Sequence, residues 1–126
     1  MAVLALAGCE HHPTDAERGI AAFQRGYAAM QREDWPTAER FLNEAAQYLP
    51  TDAFTQLDLG VTEQHLGHVD EARHAYKVAA DLGQDIHPRD VSNPVYAART
   101  VTQLALDNLA ALDAGKPPNS GGAAQH

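Results

Sequence analysis

Apolar residues recur along this chain at helical spacing, and no run alternates with the period of two that a half-buried strand requires. Asp15 to Gln31 carries Ile20, Phe23, Tyr27 and Met30 on one face, with Thr14 or Asp15 as its cap. Pro36 suits the first turn of a second helix, where a missing N–H costs nothing, and Ala38, Phe41, Leu42, Ala45 and Leu49 share a face up to Pro50. Thr51 or Asp52 caps a third helix bearing Phe54, Leu57, Val61 and Leu66 and closed by Gly67. Asp70 opens a fourth, with Ala72, Ala75, Tyr76, Ala79 and Leu82 ahead of Gly83. After a connection from Gln84 to Ser92, Asn93 as cap and Pro94 in the first turn predict a fifth helix over 94–113. Its stripe is Val95, Ala98, Val101, Ala105, Leu109 and Leu112, and Gly115 followed by Lys116-Pro117-Pro118 stops it. Residues 114–126, rich in Gly, Ser and Ala, are expected to be a disordered tail.

A shift of 34 residues superimposes Gly26 on Gly60, Ala38 on Ala72, Leu42 on Tyr76 and Ala45 on Ala79. Small residues at matched places let paired helices approach closely; a bulky side chain at Ala38 or Ala72 would cost about 1–3 kcal/mol as overpacking. With this period the chain resembles the tetratricopeptide repeat (TPR) family. Repeat one would span 19–52 and repeat two 53–86. The family's Leu-Gly pair is Leu59-Gly60, its inter-helix turn Leu66-Gly67-His68-Val69, and Asp70-Glu71-Ala72 opens the second helix. Repeat one keeps Gly26, Trp35, Ala38, Leu42, Ala45 and Pro50, but has Arg25 where an apolar residue is usual and Glu33 where the turn glycine is expected. Repeat two has Gln84 in place of the closing proline.

The resemblance implies an all-α fold over 15–113: two TPR helical hairpins of an α-solenoid, with the fifth helix covering the exposed side of repeat two. It also implies a concave groove, lined by the first helix of each hairpin, in which a protein or peptide partner docks. By register the groove positions are Phe23, Tyr27 and Met30, with Ile20 beside them, then Phe54, Leu57, Val61, Gln64 and His65. The Lys, Arg and Asn with which some family members grip a peptide carboxylate are missing there, so an amphipathic helix or extended apolar segment suits the groove better. Phe23, Tyr27 and Leu57 serve a packed core equally well, and a homodimer is also admitted.

At the N-terminus, Leu6-Ala7-Gly8-Cys9 resembles the lipobox of bacterial lipoproteins. The resemblance implies diacylglycerol on Cys9 and cleavage before it. Residues 1–8 would be a partial signal segment, lacking the usual basic start and length, and 9–14 a tether reaching at most about 18 Å. Two acyl chains anchor stably without basic residues. Glu10 after the cysteine, in place of the aspartate associated with inner-membrane retention, implies the periplasmic face of the outer membrane. The other reading of Met1 to Ala7 is a buried helix start, with Cys9 a small core residue.

Charge narrows the partners. With 17 acidic against 9 basic residues the formal net charge is -8, which argues against nucleic acid, since phosphate contacts want Lys or Arg. A single cysteine rules out an intrachain disulfide. No Gly-rich phosphate loop, activated nucleophile or paired metal motif is present, so neither an enzyme nor a cofactor is expected. Among the 7 histidines, His65 and His68 are closely spaced with His74 beyond. His68 falls in a turn, however, and solvated imidazoles account for them without a metal. The expected function is a membrane-anchored interaction module or scaffold, accessory to envelope, pilus or secretion assembly. An unlipidated periplasmic adaptor is the alternative, and a histidine-based metal binder a more distant one.

Overall fold

The computed structural model describes residues 11–88 and 99–119. Within them the chain is all-helical: α1 (Asp15–Gln31), α2 (Trp35–Tyr48), α3 (Ala53–His65), α4 (Val69–Leu82) and α5 (Val101–Asp113). Local chemistry sets most of the starts. Thr14 accepts from the Glu17 N–H while the Glu17 carboxylate accepts from the Thr14 N–H at 2.7 Å, a capping box at α1. That bond to the Thr14 backbone is the main reason the Glu17 carboxyl lies below its ordinary range. Asp34 and Asp52 accept from the N–H groups of Thr37 and Thr55 and cap α2 and α3. His68 precedes α4 and makes no side-chain cap bond.

Among the described residues the fifth helix begins at Val101. Thr100 has the same extended backbone as Thr14 (ψ 162 against 164) and forms a second capping box with Gln103, which fixes the start. Asn93, Pro94, Val95 and Ala98 lie outside the described residues.

Helices α1, α3 and α5 end on one turn geometry. The N–H of Asp34 bonds the carbonyl of Ala29 at 2.9 Å, that of His68 the carbonyl of Glu63 at 2.9 Å, and that of Lys116 the carbonyl of Ala111 at 2.8 Å. Each turn needs a residue with left-handed backbone, supplied by Glu33 (φ 57), Gly67 (φ 78) and Gly115 (φ 67).

α1 packs on α2, α3 on α4, α2 against α3, and α5 against both α4 and α3. Two of the close approaches repeat. A Cβ added at Gly26 would lie 2.7 Å from Leu42, and one added at Gly60 would lie 2.5 Å from the ring of Tyr76. Ala38, Ala45, Ala72 and Ala79 are all fully buried. The 34-residue shift therefore maps one packing contact onto another. Phe23, Leu42, Leu57, Val61, Tyr76, Val101 and Leu104 form the centre of the core. Burying such a side chain contributes about 1.5–3 kcal/mol.

The buried stripe of α5 is broader than the expected one. Leu104 and Asn108 are buried beside Val101, Ala105, Ala111 and Leu112, whereas Leu109 is half-buried. The tail is also ordered further than its composition suggests. The Lys116 carbonyl accepts from Gln64 Nε2 at 2.8 Å, and the Asn119 N–H donates to Asn108 Oδ1 at 2.8 Å. Residues 114–119 thus fold back on α3 and α5, which corrects the expectation of disorder there; 120–126 lie outside the described residues.

Candidate functional site

The positions expected to line a concave groove are largely interior. α3 is packed by α1, α2, α4 and α5, so most of its apolar positions are buried. Phe23, Met30, Phe54, Leu57 and Val61 are all buried. Tyr27 is half-buried and stacks on Phe23, the ring centroids 6.4 Å apart. Gln64 is consumed internally: its Oε1 accepts from Tyr76 Oη at 2.7 Å and its Nε2 donates to Lys116. Burial holds the Tyr76 phenol protonated well above the ordinary tyrosine range. His65 is exposed at one edge but lies flat on Trp35, with centroids 3.8 Å apart and planes at 6°. Partial burial lowers its pKa, with Glu33 opposing the shift. An open apolar groove on these residues is therefore not what the fold presents. With so few helices the stripe is needed for the core, and α5 with the returning tail covers the rest. The lipidation candidate Cys9 lies outside the described residues.

His65, His68 and His74 face three different surroundings. His65 turns to Trp35, His74 faces a cleft, and His68 meets two carboxylates. His68 Nδ1 lies 2.6 Å from Glu63 Oε2, on α3, and 3.2 Å from Glu39 Oε2, on α2. One potential ligand atom from each of these residues lies within 4.8 Å of the others. Glu63 is 5% exposed. Burial raises its pKa, and the hydrogen bond from His68 opposes this. The His68 pKa is raised, first by the bond to Glu63 and then by the charges of Glu63, Glu39 and Glu71. When His68 is protonated, its ring can thus hold α2, α3 and the α3–α4 turn together.

Beside this cluster a cleft of about 380 Å³ runs between α2, α3 and α4. Leu59 and Ala75 give it apolar walls, while Glu63, Asp70, Glu71 and His74 bring ionisable groups to it.

Sequence reasoning missed Glu39 and Glu63, yet the repeat contained a signal. The 34-residue shift places Glu63 on Ala29 and His68 on Asp34. Ala29 is fully buried and Asp34 caps its helix, so repeat two has put a carboxylate at an interior position and an imidazole at a cap position. Both substitutions break a local rule at adjoining places, a pattern associated with function. Compared with protein-family models, with curated proteins and with solved structures, the chain matches none of the three.

Proposed function

We propose that this chain is a TPR-type helical-hairpin protein acting as a protein–protein interaction module, held at the bacterial envelope by a lipid on Cys9. The observation that carries the repeat assignment is the paired glycine contact, Gly26 on Leu42 and Gly60 on Tyr76, in the same register of successive hairpins. Hairpins of this kind commonly serve as docking scaffolds. Since the expected groove positions are interior, the partner surface we assign is the cleft between α2, α3 and α4. Its acidic side chains and the net charge of -8 favour a segment carrying Lys or Arg beside an apolar residue. The lipobox resemblance supports the tether, and accessory work in pilus, secretion or outer-membrane assembly fits a short-tethered module on the periplasmic face.

Two experiments test this. A photo-crosslinker at Gln56, within the cleft, is introduced into the native chain and into an Asp70→Lys, Glu71→Lys variant. Partner capture lost in the reversed-charge variant at unchanged melting temperature supports docking in the cleft; equal capture by both rejects it. Labelling with a radioactive fatty acid, with Cys9→Ser as control, tests the anchor. An unlabelled native protein in the periplasm would favour the soluble adaptor instead.

A further inference from the structure

We propose that Glu39, Glu63 and His68 form a binding site for one zinc ion, which ties the first hairpin to the second. Glu63 also borders the docking cleft, but the metal site does not rest on the docking reading. Three protein ligands of the required types converge: two carboxylate oxygens and a ring nitrogen, within 4.8 Å of one another. In a tetrahedral zinc site with bonds of about 2.0–2.1 Å, ligand atoms stand about 3.4 Å apart. His68 Nδ1 is 3.2 Å from Glu39 and 2.6 Å from Glu63, so the ring needs to withdraw by less than an ångström from Glu63. Glu39 and His68 are partly exposed and can make that adjustment, whereas α3 fixes Glu63.

Ligand chemistry selects the ion. An imidazole with two carboxylates suits zinc and its first-row neighbours, whereas calcium and magnesium prefer all-oxygen shells. Three protein ligands leave a fourth position for water or an incoming group. Zinc binds imidazole and carboxylate in their deprotonated forms, so its binding competes with protons and weakens as pH falls. It also removes the cost of two neighbouring carboxylates when His68 is neutral. The internal comparison explains the unusual cap. Asp34 caps α2, whereas His68 forgoes the equivalent bond at α4 and directs its ring to Glu39 and Glu63.

Calorimetric titration of the metal-free full chain with zinc chloride at pH 7.5 is expected to show one equivalent bound. His68→Asn, which can restore a cap bond and so keep α4 intact, should weaken binding at least tenfold. Glu39→Gln, at a partly exposed position, should do the same. A His11→Ala, His12→Ala variant should bind as the native chain does. Cobalt(II) should give intense visible absorption of tetrahedral type in the native chain, absent from His68→Asn. No saturable binding, or binding unchanged in both His68→Asn and Glu39→Gln with circular dichroism showing folded protein, would overturn the site. The crosslinking experiment, run without added zinc, reads capture by the α2–α3–α4 cleft separately, so the two readings fail distinguishably although both involve Glu63.

Discussion

Glu33 holds a conformation its side chain disfavours. At φ 57 it occupies the turn position that Gly67 fills in the second hairpin, where a side chain costs about 1 kcal/mol relative to glycine. The turn itself is sound, with Glu33 N–H to the Met30 carbonyl at 2.9 Å and Asp34 N–H to Ala29 at 2.9 Å. Glu33→Gly is therefore expected to stabilise the protein by about 0.5–1 kcal/mol in denaturant unfolding at an unchanged slope. A loss of stability would mean that attraction between the Glu33 carboxylate and neighbouring His65 outweighs backbone strain. Gly67, at the matching turn, has nothing within 4 Å of a Cβ, so its requirement is conformational. Gly60 differs, because a Cβ there would strike the Tyr76 ring. Two glycines in one hairpin thus serve by separate physics.

At the scale of elements, α5 completes the core instead of merely closing its end. Leu104 is 2% exposed and Leu106 is 50% exposed on the same helix, so a charge at the two places meets opposite surroundings. Leu104→Asp should cost more than about 3 kcal/mol, as an unpaired carboxylate buried in place of an apolar side chain, while Leu106→Asp should stay within about 0.5 kcal/mol. Equal melting temperatures for the two variants would refute the packing of α5. The sequence marked this helix and most of its inner face: Val101, Ala105 and Leu112 are buried and Leu109 packs against the core. The Thr100–Gln103 capping box at the start of α5 went unread, although Thr followed three residues on by Gln is a start signal. Asn108 is polar, so a pattern of apolar positions passes it over; it is nonetheless fully buried and accepts from the Asn119 N–H. The hairpins were more legible. Gly26, Gly60 and the alanines that recur with them lie in contacts where only small side chains fit, so spacing alone marks them. The Glu39, Glu63 and His68 cluster was hidden because it joins three elements, and linear spacing groups His68 with His65 instead.

Over the whole molecule, one hairpin meets the other through the Glu39, Glu63 and His68 cluster as well as through apolar packing. Glu39 belongs to α2 and Glu63 to α3, while His68 stands at the start of α4 and Glu71 on its first turn. The raised pKa of His68 contributes stability that is fully present below its unfolded value of about 6.5 and is lost as pH rises through the folded value. The raised pKa of buried Glu63 has the same sign: the folded state favours its proton, and that advantage fades as pH climbs above about 4.5 and passes the folded value. His65 runs the other way. Its lowered pKa gives stability present above about 6.5 and lost as pH falls through the folded value. A simple melting curve against pH therefore mixes opposing histidines, and a difference between variants separates them. In the presence of a chelator, the melting temperature of the native chain relative to His68→Asn should fall steadily from pH 5.5 to pH 8.5. Relative to His65→Phe it should rise over the same interval, because a phenyl ring at that position would keep the stack on Trp35 without titrating. A native-minus-His68→Asn difference that stayed flat would show that the imidazole does not bridge the hairpins through its proton. The two hairpins would then be held by apolar packing alone, chiefly that of α2 against α3.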